Sequence, residues 1–131
     1  RRRHFDESGH IKDTHKDYPE AIRFMGAREN IPVVDLQEMT RTWFELMGPD
    51  KSKHALVHCP AGTWPGQTKA IADDTHFSTY GAYMIARMVV NQLIEWGGSY
   101  GTHFRTLPAY DYAEWHWIPS PRQDIEKPEG N

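Results

Sequence analysis

Apolar residues recur at helical spacing along the first part of this 131-residue chain and predict two helices. The first is predicted over about residues 18–29, because an N-cap acid at Asp17 precedes a Pro and a Glu in the first turn. The second opens at Asp35, presents one apolar face and is expected to end at Gly48 and Pro49. Each helix has a local start signal and an apolar side that must be covered.

A third helix is predicted from Ser78 or Thr79 to about Trp96, where two glycines follow. Its polar residues form one narrow stripe, and apolar residues occupy most of the remaining circumference. A helix of this kind is expected to be covered on several sides, as one packed against a sheet would be.

Two short apolar runs between the helices predict strands. Residues 30–35 (Asn-Ile-Pro-Val-Val-Asp) are typical of a buried parallel strand with Pro at its beginning, and residues 55–57 predict a weaker strand. The rest of residues 49–75 is expected to be mostly loop. Because one convincing strand cannot satisfy its own backbone groups, we expect an α/β domain with an incomplete sheet in this chain. Its other strands are expected on another segment or chain.

Composition narrows the class of protein. The mean hydropathy of −0.75 is low for a self-sufficient core, whereas five Trp, six Tyr and five Phe argue against disorder. A formal charge of −3 gives no global basic field, so neither nucleic acid nor a membrane surface is indicated, and no apolar run is long enough to span a bilayer. Cys59 is the single cysteine, which excludes an internal disulfide. The chain opens with Arg1 rather than Met, so we expect it to be part of a longer polypeptide.

The candidate chemistry lies in residues 73–77 (Asp-Asp-Thr-His-Phe), next to a Gly/Pro-rich loop and just before the third helix. An acid three residues ahead of a histidine on a tight turn can place its carboxylate against Nδ1, which leaves Nε2 free to face a nucleophile. Asp73 and His76 have this spacing, and Asp74 has a less suitable one. The alternative interpretation is a solvated acidic turn that caps the next helix.

Each of the other candidate residues has a structural interpretation as well as a functional one. His54 and His58 beside Cys59 resemble a metal site, but their segment is strand-like and no third ligand follows, so polar or substrate-facing histidines are favoured. Trp64 is a candidate for stacking on a sugar ring, and core packing is equally compatible. Ser99 fits a G-x-S-x-G string, but a helix rather than a strand precedes it, so we interpret its glycines as a helix stop.

The two ends of the chain carry further candidates. Arg1, Arg2 and Arg3 match the geometry of sugar carboxylates, although a solvated basic end is the simpler reading. Trp115 and Trp117 are candidates for a carbohydrate platform or for strapping the tail onto the domain.

Four stretches together resemble the C-terminal half of rhamnogalacturonan acetylesterase-type carbohydrate esterases of the SGNH/GDSL hydrolase superfamily. They are RRHFDE at 2–7, DTHKDYPEA at 13–21, PAGTWPG at 60–66 and DDTHFSTYGA at 73–82. The resemblance covers residues 1–96, which are predicted to be the C-terminal half of the hydrolase domain. Residues 97–131 lie outside it and are predicted to be an aromatic and Pro-rich extension.

The resemblance implies a flavodoxin-like three-layer α/β/α fold and removal of acetyl groups from pectic polysaccharide without metal or organic cofactor. It maps the catalytic acid and base onto Asp73 and His76, with Trp64 and His58 as substrate-binding candidates. The nucleophilic Ser and the oxyanion residues belong to the N-terminal half, so this chain alone is expected to be inactive. The implied partners are an acetylated pectic saccharide and that half, on the same or a separate chain. The substrate class fits a secreted or periplasmic bacterial enzyme.

An alternative from another class is a non-catalytic carbohydrate-binding or assembly segment derived from the same fold. It predicts saccharide binding through aromatic side chains, with no ester hydrolysis in any combination.

Overall fold

A computed structural model describes residues 2–106 of the chain. Its elements follow one another as helix, helix, short 3₁₀ helix, two strands and two helices. They are α1 (Tyr18–Arg28), α2 (Leu36–Lys51), the 3₁₀ helix (Ser52–Ala55), β1 (Leu56–Cys59), β2 (Ile71–Phe77), α3 (Thr79–Trp96) and α4 (Gly98–Gly101). Arg1, Trp115 and Trp117, named above as candidates, lie outside the described residues.

The three predicted helices are confirmed. In two of them the side chain at the N-cap makes a capping hydrogen bond. The Asp35 carboxylate accepts a hydrogen bond from the Glu38 backbone N–H, and the Ser78 hydroxyl accepts one from Gly81 N–H. The Asp17 side chain makes no such bond at the start of α1. The predicted end of α2 is only partly right, because Gly48 kinks the helix with a φ of 74° and a short turn then continues to Lys51.

The strand predicted at residues 30–35 is wrong for the chain as it stands, because this segment is irregular in the structure. The Ile31 N–H bonds to Gly26 O at the end of α1, and the Leu36 N–H bonds to Val34 O. A strand is defined by pairing with a neighbour, and the described residues place no strand beside this segment. Its apolar side chains instead lie along the surface between α1 and α2.

The sheet of the described residues has two antiparallel strands, β1 and β2. The strand predicted at residues 55–57 is confirmed as β1, but residues 73–77 lie on β2 rather than in a loop. The chain is therefore an α/β protein with a small sheet. A flavodoxin-like three-layer arrangement remains a prediction.

The core is small and lies where α2, the 3₁₀ helix and β1 meet. Phe44 is fully buried beside Ala55 and Leu56, and Ile11 covers them from the N-terminal segment. Helix α3 approaches this core closely, because a Cβ at Gly81 would lie 1.9 Å from the Ala55 carbonyl oxygen. The Ser78 hydroxyl also donates to His54 O, 2.6 Å away. The start of α3 is thus fixed to the 3₁₀ helix immediately after the candidate site.

Within residues 2–106, no helix combines the length and the apolar character needed to cross a lipid bilayer.

Candidate active site

A bulge in β2 carries the candidate acid and histidine. Leu56 pairs with Phe77 and His58 pairs with Ala72, so one residue of β1 faces the four residues 73–76 of β2. The extra residues cannot stay in the ladder and are pushed out of it. The bulge explains how a segment of strand can also make the tight turn predicted from the sequence.

Asp73 and His76 contact each other across this bulge. Asp73 Oδ2 lies 2.7 Å from His76 Nδ1, while Asp73 Oδ1 accepts the backbone N–H groups of Thr75 at 2.7 Å and His76 at 2.9 Å. The carboxylate therefore holds both the backbone and the ring of the histidine. The His76 side chain is 76% exposed, and among residues 2–106 no hydrogen bond to its Nε2 is found.

These hydrogen bonds hold the pKa of Asp73 at about 2, below its ordinary value of 3.8. The backbone N–H of His76 contributes most, followed by the His76 side chain and the backbone N–H of Thr75. Asp73 is consequently ionised throughout the neutral pH range. An ionised acid on Nδ1 favours the tautomer in which Nδ1 carries the proton and Nε2 can accept one.

Asp74 has a different set of partners from Asp73. Its Oδ1 lies 2.5 Å from Arg3 Nη1 and 2.9 Å from His58 Nε2, so it points to the N-terminal segment and to β1. His58 is cross-strand from Ala72, and Asp74 is two residues further along β2, which brings the two side chains together diagonally.

Two residues that contact Asp74, Arg3 and His58, carry interpretations from the sequence. Arg3 is buried and paired with Asp74, so the reading of Arg3 as part of a solvated or saccharide-facing basic end is wrong. The His58 side chain is 18% exposed and its Nε2 faces Asp74, so its substrate-binding role stays a prediction.

The loop between β1 and β2 holds Trp64. Its backbone N–H bonds to the Gln67 side-chain oxygen at 3.1 Å, and the same Gln67 amide donates to Pro60 O and Lys69 O. The Gln67 side chain therefore bridges the two ends of the loop. The Trp64 side chain is half-buried. Stacking of Trp64 on a sugar remains a prediction.

The hydroxyls of Ser8, Ser52 and Ser78 are hydrogen-bonded to groups other than His76. Ser52 is buried and bonded to Arg3, Ser78 caps α3, and Ser8 bonds to Asp6. Ser99 lies inside the four-residue helix α4, directly after α3, which is not the strand–turn–helix setting of a nucleophile elbow. The histidine thus has an acid partner in residues 2–106, but no serine is hydrogen-bonded to it there.

The same part of the chain contains no group of three or more His, Cys, Asp or Glu residues that could hold a metal ion. His58 and Cys59 belong to β1, with Cys59 buried against the core side and His58 on Asp74.

An apolar groove of about 360 Å³ lies between α1, the segment after it, α2 and the start of α3. Its lining includes Ile22, Val33, Leu36, Phe77 and Ile85. Phe77, one of the lining residues, directly follows His76 in the chain. Ile22 in this groove is 59% exposed, and Ile31, in a neighbouring groove beside α1, is 62% exposed.

Fold and site together define an α/β protein with a preformed Asp–His pair on a strand bulge. The chain is 36% identical over 96 residues to the rhamnogalacturonan acetylesterase RhgT of Bacillus subtilis, which confirms the resemblance predicted from the sequence. The match takes in 73% of this chain but 41% of the relative, so the chain spans about two fifths of that protein's length. No family model matches the chain, and no solved structure does.

Proposed function

We propose that this chain supplies the catalytic acid and base of a serine esterase that removes acetyl groups from pectic polysaccharide. The observation that carries the proposal is the 2.7 Å contact between Asp73 Oδ2 and His76 Nδ1, with Nε2 of the exposed ring facing outward. Its match to a rhamnogalacturonan acetylesterase supports the choice of ester and saccharide.

In this mechanism His76 Nε2 takes the proton of a serine hydroxyl as the serine oxygen attacks the acetyl carbonyl. Asp73 holds the ring orientation and stabilises the imidazolium that forms. His76 then returns the proton to the departing sugar oxygen, and a water molecule attacks the acyl-enzyme in the same way to release acetate. Oxyanion donors stabilise both tetrahedral intermediates.

The nucleophilic serine and the oxyanion donors come from the N-terminal half of the domain, on the same or a separate chain. Two observations support this division. Ser8, Ser52 and Ser78 are hydrogen-bonded elsewhere, and Ile22, which lines the groove together with Phe77, is 59% exposed. Parallel strands of the missing half, packed against residues 30–35 and in the groove, would complete a three-layer SGNH-type fold.

Substrate contacts are assigned to Trp64 and His58 on the same proposal. Trp64 lies in the loop that joins β1 to β2, and His58 lies on β1 opposite Ala72, the residue before Asp73. A half-buried indole offers a flat apolar face to a sugar ring. The proposed polymeric substrate fits a secreted or periplasmic enzyme.

The test is reconstitution. The 131-residue chain is mixed with an N-terminal piece of a rhamnogalacturonan acetylesterase that carries the serine, and acetate release from acetylated rhamnogalacturonan is measured. We expect hydrolysis from the mixture and a loss of about 10⁶-fold in kcat for His76→Ala. The exposed His103→Ala is the matched control and should keep the rate. Full activity of the His76→Ala mixture would remove His76 as the base.

The same experiment separates the non-catalytic alternative. A binding or assembly segment would retain acetylated oligosaccharide through Trp64, measured by calorimetry, while every mixture released no acetate.

A further inference from the structure

Arg3 is the most deeply embedded charged side chain near the site, with 8% of its surface exposed. Its guanidinium donates in three directions: Nε to Ser52 Oγ at 2.9 Å, Nη1 to Asp74 Oδ1 at 2.5 Å and Nη2 to Pro49 O at 2.5 Å. A guanidinium spreads its N–H donors over three nitrogens in a plane, so it reaches three separated acceptors that the single nitrogen of a lysine ammonium cannot span. Arg3 thereby joins the N-terminal segment, the end of α2 and β2.

Asp74 is held at both its backbone and its side chain. The Arg3 backbone N–H donates to Asp74 O at 3.1 Å, and His58 Nε2 lies 2.9 Å from the same carboxylate oxygen that Arg3 binds. Asp74 is the residue between the catalytic acid and the turn to His76. Fixing Asp74 therefore fixes the middle of the bulge.

The Asp73–His76 pair has few other constraints. The His76 ring is mostly in solvent, and the pair's bonds are local, within three residues of chain. Residues 73–76 have also left the β-ladder, so strand pairing does not hold them individually. Ladder pairs hold the two ends of the bulge, and Asp74 anchors its middle through Arg3 to Ser52, the first residue of the 3₁₀ helix, and to Pro49 near the end of α2.

We infer that Arg3 is a positioning residue for the acid–base pair, acting through Asp74 and helped by His58. It sets the shape of the bulge in which Asp73 reaches His76, and it touches neither the substrate nor the reacting atoms. The inference rests on the proposed function only for the catalytic use of the pair.

The test uses the full chain alone, without ester or partner. Three variants are compared: Arg3→Lys, which keeps the charge but not the fork; Asp74→Asn, which removes the charge; and Arg2→Lys, the matched control at an exposed neighbour. The measurements are the pKa of the Asp73 carboxyl by ¹³C NMR and the His76 ring tautomer by ¹⁵N NMR.

We expect the control to keep the Asp73 pKa of about 2 and a proton on His76 Nδ1. In Arg3→Lys and Asp74→Asn the Asp73 pKa should rise towards 3.8, and the ring should lose its single tautomer. Charge effects alone predict otherwise, because Arg3→Lys changes no charge and loss of a neighbouring carboxylate would lower the pKa of Asp73. The direction of the shift thus separates positioning from electrostatics.

Folded Arg3→Lys and Asp74→Asn proteins with an unchanged Asp73 pKa and tautomer, even at a lower Tm, would overturn the inference and leave Arg3 a purely structural residue. If Arg3→Lys does not fold, Asp74→Asn decides by the same criterion. Inactivity of every reconstituted mixture would defeat the proposed function and leave this result standing, because no hydrolysis enters the measurement.

Discussion

The middle of β2 and the apolar grooves beside α1 differ in how their side chains are covered. Around Asp74 the polar groups are satisfied inside the chain, by Arg3, His58 and backbone carbonyls. By contrast, Ile22 and Ile31, which line the apolar grooves beside α1, are both more than half exposed. The polar contacts around Asp74 are thus completed within residues 2–106, whereas the apolar face beside α1 is left uncovered there.

The largest expected effect concerns the two adjacent acids. In a reconstituted enzyme, Asp73→Asn should lower kcat by about 10⁴-fold, because the histidine loses the group that fixes its tautomer. Asp74→Asn should cost less, since Asp73 keeps its carboxylate and only the positioning of the pair through Arg3 and Asp74 is weakened. Rates of acetate release from the two mixtures give the comparison, and equal losses would contradict the separate roles.

Alanine substitutions at two glycines compare the stability of the closely packed start of α3 with that of the open face beside α1. Gly81→Ala should lower the free energy of unfolding by about 3 kcal/mol, because the new Cβ meets the Ala55 backbone oxygen. Gly26→Ala should cost less, because its new Cβ would come no closer than 3.0 Å to backbone, at Ile31 O, and its closest contact is a Val33 methyl in the irregular segment after α1. Urea unfolding followed by circular dichroism measures both. A more stable Gly81→Ala chain would show that α3 does not pack as described.

The open face should matter for association and not for folding. Ile22→Asp is expected to weaken binding of the N-terminal piece by about 10²-fold, equivalent to the loss of one buried aliphatic side chain. Phe24→Asp is the matched control, since Phe24 is on the same helix, is similarly exposed and does not line the groove. Calorimetric titration gives the affinities. Equal weakening by both variants would place the partner elsewhere.

The smallest effect is a dependence of stability on pH. The Asp73 pKa of about 2 lies below its ordinary value of 3.8, so ionised Asp73 stabilises the fold above about pH 4 and this contribution is lost as the pH falls towards 2. The Tm difference between the chain and Asp73→Asn should therefore shrink over that range. A difference that stays constant would mean that the carboxylate is not held by the bulge.

Local signals predicted much of this structure. The caps at Asp35 and Ser78 lie within a few residues of the groups they bind, and so does the spacing of Asp73 and His76. Interactions of this range are encoded by adjacent residue types, so helix starts and the contact within the pair follow from the sequence.

Long-range pairing was not predictable in the same way. Arg3 and Asp74 are far apart along the chain, and nothing near Arg3 distinguishes a buried arginine from its solvated neighbours. Residues 30–35 show the converse, because their pattern is that of a strand while the neighbour needed to make one is missing from residues 2–106. The pairing register of β1 with β2, and hence the bulge, also depends on contact between two segments that are separated along the chain.

The most direct measurement is acetate release from acetylated rhamnogalacturonan as a fixed amount of the chain is titrated with the N-terminal piece. The account predicts no release from either component alone, a rate that saturates with added piece, and no rate when the serine of that piece is replaced by alanine. Release by the chain alone, or by a mixture lacking that serine, would contradict the claim that a preformed Asp73–His76 pair awaits an external nucleophile.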